Sequence, residues 1–364
     1  MDLQLGGRRA LLIGAGRGLG GAAAVAMARE GVSVAVMART REAVEERVRA
    51  CRAAGAPAAV GVVADATDVA ELERAVQESA AALAGLDVLV TLVGGSQPGG
   101  TELDDAGWDL ALQRNLWPAI RATRLVLPLL EQSARARGVA VPPSVDAPGS
   151  RHASVVLHVA SIWGREGGGL MSYNAAKAAL ISLAHEQARE LAPRGVRVLS
   201  VAPGSALHPG GIWEGRIERD PLGTAEFVRR EIPFGRFGTA EEIGDVIAFL
   251  VSPRASWVAG AVSPSMAASR GRSDARVEPM RAGAHDSVPD GRCAPGAPGR
   301  RGPRTRRVDR PVRGRPRAGL RQEAGATGDR DGPRRDSSNR DRTGGKPGAE
   351  PRLRSFHLRG SDVA

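Results

Sequence analysis

The run Arg9-Ala10-Leu11-Leu12-Ile13, followed without a break by Gly14-Ala15-Gly16-Arg17-Gly18-Leu19-Gly20, decides how the rest of the chain is read. Five residues of strand character end on a cluster of glycines, and the residues after the cluster, Gly21 to Glu30, continue at helical spacing. Glycines at such a strand-to-helix turn let backbone amides approach a pyrophosphate, and the helix N-terminus favours its negative charge. Glycines alone would fit any tight turn. The order strand, glycines, helix is what points to a nucleotide cradle.

Working outward, the pattern repeats. Strands are predicted at 9–13, 32–37, 59–64, 88–93, 154–159 and 196–201, with helices at 18–30, 41–54, 69–83, 105–132 and 172–191 between them. The strands are rich in Val, Leu and Ala without clean alternation, which suits a parallel sheet covered on both faces. The strict alternation implies an α/β fold with right-handed crossovers, a doubly wound, Rossmann-like parallel sheet. Two long loops are expected. One, at 133–152, carries Pro142, Pro143 and Pro148 and reads as a surface connection. The other, at 202–232, follows the sixth strand, where ligands of such sheets bind, and is placed to cover a substrate.

Charge divides the chain unevenly. Residues 1–263 hold 27 Lys+Arg against 28 Asp+Glu, and residues 264–364 hold 24 against 12, so the net +11 belongs to the second part. That part is dominated by Arg, Gly, Pro, Ala, Ser and Asp, and such a composition buries too little apolar surface to offset its ordering entropy. The expected organisation is one domain at 1–263 and a disordered basic tail at 264–364. A nucleic-acid-binding arm is the rival reading of the tail, but its acids are interspersed and Phe356 is its only aromatic residue. Cys51 and Cys293 suggest no disulfide framework, no apolar run is long enough for a membrane span or signal core, and the chain reads as cytoplasmic. The six histidines show no metal-binding spacing, so no metal is expected.

Tyr173 and Lys177 stand four apart in a predicted helix and share a face. A carbonyl receiving a hydride needs a proton donor, and a neighbouring ammonium can lower a phenol toward useful acidity. Bringing a phenol from about 10 to near neutrality takes roughly 4 kcal/mol, which calls for a partly desolvated site. Tyr173 is the only tyrosine, and Lys177 and Lys346 are the only lysines, against 49 arginines. A chain that uses arginine almost everywhere keeps a compact ammonium beside its one phenol. Ser161 follows the fifth strand and can donate to a carbonyl. Asn115 lies inside the predicted 105–132 helix, where asparagine is mildly unfavourable. After the second strand, Ala38 stands where a carboxylate would select NAD(H), and Arg39 and Arg17 could pair with a 2′-phosphate, which favours NADP(H) over NAD(H).

Glycine turn, Asn, Ser, Tyr-x-x-x-Lys and Pro-Gly occur here in the order that characterises the short-chain dehydrogenase/reductases. From Leu5 to about Val262 the chain resembles that family, and within it the branch containing the 3-oxoacyl-carrier-protein reductases. The stretch Ser161-Ile162-Trp163-Gly164 through Ser172-Tyr173-Asn174-Ala175-Ala176-Lys177 carries most of the likeness. The resemblance implies hydride transfer between a nicotinamide cofactor and a carbonyl or secondary alcohol, with a 3-oxoacyl thioester among the possible substrates. It implies that Tyr173 is the general acid/base, that Lys177 lowers its pKa and binds the nicotinamide ribose, that Ser161 orients the carbonyl, and that Asn115 holds a relay water. Gly14, Arg17, Gly18 and Leu19 would hold the cofactor phosphates and Arg39 the 2′-phosphate. Asp65 and Ala66 would border the adenine, Gly94 its ribose, and Pro203 and Gly204 the nicotinamide. A homodimer or homotetramer built on the helices around Asn115 and Tyr173 is implied as well. Trp213, Phe227 and Phe234 would give the substrate cover an apolar character.

Three departures stand out. Ile13 replaces the usual Thr before the first glycine. Thr91-Leu92-Val93-Gly94 replaces Asn-Asn-Ala-Gly, losing an asparagine that normally ties strands together. After Val262 the family's Val-Asp-Gly-Gly segment is replaced by Ser263-Pro264-Ser265-Met266-Ala267-Ala268-Ser269-Arg270. A frameshift accounts for the last. Ile-Ala-Val-Asp-Gly-Gly-Gln-Ser-Arg can be encoded ATC GCC GTC GAT GGC GGC CAG TCG CGG, and deleting the first A yields Ser-Pro-Ser-Met-Ala-Ala-Ser-Arg. A GC-rich wrong frame would also produce the Arg, Gly, Pro and Ala of the tail. On this reading the final strand is lost, which leaves open a catalytically impaired cofactor-binding protein as the alternative function.

Overall fold

A computed structural model of the protein describes residues 1–141 and 153–265, with side chains as far as residue 261. Seven parallel strands form the main sheet: β1 (Arg9–Ile13), β2 (Ser33–Ala38), β3 (Ala59–Val63), β4 (Val88–Thr91), β5 (Ser154–Val159), β6 (Val196–Pro203) and, numbered after two short strands of the cover, β9 (Val262–Ser265). Their order is β3-β2-β1-β4-β5-β6-β9, and every neighbouring pair is parallel. The chain winds outward from β1 through β2 to β3, crosses back to β4, and winds outward on the other side. This is the doubly wound, Rossmann-like sheet, and its winding reverses between β1 and β4, where a crevice opens at the carboxyl ends.

Helices cover both faces because successive strand residues point to opposite sides. Ala10 and Leu12 of β1 enter one core, with residues of α1 (Gly18–Arg29), α2 (Arg41–Ala53) and α9 (Ala240–Val251). Leu11 and Ile13 enter the other, with α3 (Val69–Leu83), α5 (Trp117–Ala136) and α6 (Met171–Leu191). Double coverage explains why β4, β5 and β6 are buried along their whole lengths. Local chemistry sets helix ends. Asp68 caps α3 by accepting from the Glu71 amide, and Thr239 and Glu242 form a reciprocal capping box on α9.

A polar node ties one end of the sheet. The fully buried Asp87 carboxylate accepts from Arg9 Nε (2.8 Å), Arg137 Nε (2.7 Å) and the Arg9 amide (2.8 Å), and from the Ser133 hydroxyl. These bonds hold it well below the ordinary carboxylate range, although burial by itself would raise it.

Three expectations are corrected. The single helix predicted at 105–132 is two helices, α4 (Asp105–Asn115) and α5, because Pro118 lacks an amide donor and biases the residues before it away from helical backbone. The expected loop at 202–232 contains β7 (Ala206–Leu207), α7 (Ile212–Arg219) and α8 (Pro221–Glu231), with β8 (Gly238–Thr239) pairing β7. The final strand is present: β9 pairs β6 from Ser200↔Val262 to Pro203↔Ser265. An edge strand needs backbone partners on one side only, so Pro264 opposite Ala202 is tolerated. The expected loss of that strand is thus corrected, and an impaired protein can no longer be inferred from it. Of the tail expected at 264–364, Pro264 and Ser265 belong to β9; the rest, with the frameshift reading of it, lies outside the described residues, as do 142–152 of the predicted surface loop.

Candidate active site

The glycine turn closes β1 onto β2. The amides of Gly14 and Ala15 both donate to Met37 O (2.9 and 3.1 Å), which fixes the loop over the carboxyl end of the sheet. Gly14 has φ +87°, and a Cβ on Gly20 would lie 2.5 Å from Gly14 O, so both positions exclude side chains for steric reasons. Arg17 occupies the N-cap of α1, and the half-buried Leu19 packs against the core beneath it.

A cleft of about 670 Å³ runs from this turn across the sheet edge. Gly14, Arg17, Arg39, Asp65, Ala66 and Gly94 all line it, so six of the residues predicted to bind a cofactor converge. Gly18 instead lies beside a neighbouring cavity of about 330 Å³, with the His208 ring packed over it. Pro203 ends β6 and is buried, and Gly204 follows it; neither is on the cleft wall. Arg114 lines the cleft and was missed in the sequence, where one arginine among so many carries no signal. Asp65 shows its effect. Burial pushes that carboxyl up, but hydrogen bonds from the Thr67 amide and hydroxyl (both 2.8 Å) and the charges of Arg39 and Arg114 bring it below its ordinary value. The cleft is thus lined by three guanidinium groups and fits an anionic, phosphate-bearing molecule.

Behind Gly94 the catalytic candidates meet. Lys177 is buried, and its Nζ donates to Val93 O (3.1 Å) and Val159 O (3.2 Å), carbonyls just beyond β4 and at the end of β5. A Cβ on Gly94 would lie 2.9 Å from Asn115 Oδ1 and 3.0 Å from Lys177 Nζ, so only glycine fits between them. The Lys177 ammonium is 5.7 Å from the Tyr173 ring centre, one helical turn away on α6. The Ser161 hydroxyl hydrogen-bonds the Tyr173 phenol and also accepts from the Trp163 amide (3.2 Å). Asn115, at the end of α4 rather than inside a long helix, spends its amide on the neighbouring loop. Its Nδ2 donates to Gly95 O and Ala111 O (both 2.9 Å), and its Oδ1 accepts from Gly95 N (3.1 Å).

Burial dominates the electrostatics of the Tyr173–Lys177 pair. Burial pushes the Tyr173 phenol above its ordinary value, and the Ser161 hydrogen bond offsets this only in part. Burial and Ser161 set the direction of this shift. Burial also brings Lys177 down to about 8 from 10.5.

Next to this cluster, His158 of β5 is fully buried between Thr91 Oγ1 (2.7 Å) and Gln187 Oε1 (3.0 Å). Burial brings its imidazole down to about 4 from 6.5, so as pH falls the unfolded chain binds the proton first. Stability is accordingly whole above about pH 6.5 and is lost as pH drops toward 4, by about 3 kcal/mol. Denaturant unfolding at pH 7 and pH 5 should show a large part of this loss, and His158→Asn should flatten it. Equal stability at the two pH values for the parent protein would refute the assignment.

The cover contributes aromatic rings. Trp163 meets Tyr173 edge-on (centroids 6.4 Å) and Trp213 (6.5 Å), and Trp213 packs on Phe227 (4.7 Å) and Phe237 (4.9 Å). The expectation for Phe234 is corrected: it is 65 % exposed, and Phe237 takes its place in the cluster. The segment bends between them at Gly235 (φ +67°), which a sequence window cannot show. Among the described residues no helix is long and apolar enough to cross a membrane.

Residues 14–264 match the family model described as enoyl-(acyl carrier protein) reductase. The chain is similar to the 3-oxoacyl-[acyl-carrier-protein] reductase of Thermotoga maritima, 30 % identical over 263 residues that cover 71 % of this chain and 96 % of the relative. It is also similar to L-xylulose reductase of Bos taurus, 32 % identical over 269 residues that cover 72 % of this chain and 97 % of that one. Among solved structures, a 7α-hydroxysteroid dehydrogenase complexed with NADH and 7-oxo glycochenodeoxycholic acid superposes with a TM-score of 0.63 at 26 % identity, covering 72 % of this chain and 94 % of that one.

Proposed function

The chain belongs to the short-chain dehydrogenase/reductase family, and from that premise we propose that it is an NADP(H)-dependent oxidoreductase interconverting a carbonyl compound and a secondary alcohol. The observation that carries the reading is the buried Lys177, tethered to Val93 O and Val159 O beside a phenol that is hydrogen-bonded to Ser161. A buried ammonium held only by two neutral carbonyls costs stability, and its placement beside the one tyrosine is the return on that cost.

When bound, the nicotinamide cofactor would supply or accept the hydride. The residues do the rest. Ser161 donates to the substrate oxygen and orients it. Tyr173, kept protonated by burial, delivers its proton to the same oxygen as charge develops there. Lys177 has a third N–H beyond the two given to carbonyls, and this one would bind the cofactor ribose. Asn115 acts by pinning Gly95, which keeps Gly94 clear for the cofactor. The Trp163, Trp213, Phe227 and Phe237 rings suit a substrate with an apolar part next to its carbonyl, a 3-oxoacyl chain or a cyclic ketone.

Arg39, Arg17 and Arg114 support the preference for a 2′-phosphate. Arg39→Ala is expected to lower affinity for NADPH about tenfold, the worth of one exposed charge-assisted contact, while leaving NADH little changed. Fluorescence titration with both cofactors measures this. An unchanged NADPH to NADH ratio would remove Arg39 from the role.

A further inference from the structure

The loss of the strand-tying asparagine at position 91 has a structural answer. Thr91 and His158 are register partners across β4 and β5. Thr91 Oγ1 lies 2.7 Å from His158 Nδ1, and His158 Nε2 lies 3.0 Å from Gln187 Oε1 on α6. One neutral tautomer satisfies both bonds: the threonine hydroxyl donates to Nδ1, and Nε2–H donates to the glutamine oxygen. The chain of bonds thus links β4, β5 and α6.

Those three elements are the ones that define the lysine site. Two residues after Thr91, Val93 O accepts from Lys177 Nζ; one residue after His158, Val159 O accepts the same ammonium; and α6 carries both Lys177 and Gln187. Relative displacement of any pair would open the carbonyl cradle. We propose that the Thr91–His158–Gln187 bridge is a positioning device for Lys177, replacing a missing strand-tying asparagine with a threonine–imidazole–amide link that also reaches the catalytic helix. It rests on the assignment of Lys177 to the catalytic set. Tyr173 and His158 are the titratable side chains next to Lys177, and the ammonium in turn disfavours charge on His158.

The chain holds only two lysines, Lys177 and Lys346, so protein labelled with 13Cε-lysine gives two signals and reports the Lys177 titration directly. In the parent protein the midpoint should lie near 8. Thr91→Ser keeps the hydroxyl and should leave both the midpoint and kcat as in the parent. Thr91→Val removes it, loosens the cradle and admits water, and should move the midpoint upward by about one pH unit with roughly tenfold lower kcat. Gln187→Met, on a half-buried helix position, should act in the same direction if Thr91→Val does not fold.

A variant that loses thermal stability while keeping the parent's Lys177 midpoint and kcat would show that the bridge is only structural, and would overturn the proposal. Absence of reductase turnover in the parent would instead refute the functional assignment. The Lys177 signal is read without turnover, so the two failures are distinguishable.

Discussion

Tyr173→Phe is expected to lower kcat by a factor on the order of 10²–10⁴, the usual contribution of a positioned acid/base, while cofactor affinity stays within about twofold. The phenol is largely buried, edge-on to Trp163, and its hydroxyl is hydrogen-bonded to Ser161, so removing one oxygen leaves the ring packing in place. Burial keeps the group protonated, so the loss should be largest in the direction of carbonyl reduction, where a proton must be delivered. No other group at the site can replace it. Two of the Lys177 N–H groups are given to carbonyls and the third is assigned to the cofactor ribose, and Ser161 is too weak an acid at neutral pH. Steady-state rates together with cofactor fluorescence titration test this. A variant that turns over at the parent's rate would show that protonation runs through another group. A variant that loses cofactor binding in proportion to rate would show that the hydroxyl serves binding.

The largest effect on stability is expected at Asp87, immediately before β4, at the opposite end of that strand from Val93, whose carbonyl accepts from Lys177. Asp87→Ala should destabilise the fold by about 3–5 kcal/mol, the cost of breaking a buried ion pair by deleting one partner. The carboxylate has no exposed surface and serves Arg9, Arg137, Ser133 and the Arg9 amide. Its removal leaves two guanidinium groups, 26 % and 28 % exposed, facing each other. It also removes the attraction that supports nearby Arg8, which burial and Arg137 already push down to about 10. The sign with pH follows from the depressed carboxyl. Its contribution is complete above the ordinary carboxylate value near 3.8 and disappears as pH falls further. Chemical denaturation at neutral pH measures the difference. A variant within about 1 kcal/mol of the parent would show that the arginines find water or other partners without cost.

These two residues were not equally visible in the sequence. Tyr173 could be found because composition isolates it, a single phenol four residues before one of two lysines. Asp87 is one of many acids in the chain, and nothing before β4 marks it as the centre of a network with Ser133 and Arg137, which lie some fifty residues away in sequence. Arg114 was hidden for the same reason, and Phe237 was missed in favour of Phe234 because the turn between them determines which ring faces inward. The reverse holds at the C-terminal end of the domain. Residue identity at 263–265 argued against a strand, yet an edge position asks only for backbone pairing with β6.

Short-range rules account for the features legible in the residues themselves. These are the strand–glycine–helix cradle, the alternation that makes a doubly wound sheet, and the helical spacing that sets Tyr173 and Lys177 on one face. Tertiary structure decided how far apart the charged groups are and how much water they keep. That is why burial raises the Tyr173 phenol, and why Asn115 bonds to Gly95 of the neighbouring loop. It is also why Thr91 and His158, 67 residues apart, form one bond. Desolvation and long-range hydrogen bonds depend on which distant segments the sheet brings side by side, and no window of sequence contains that information.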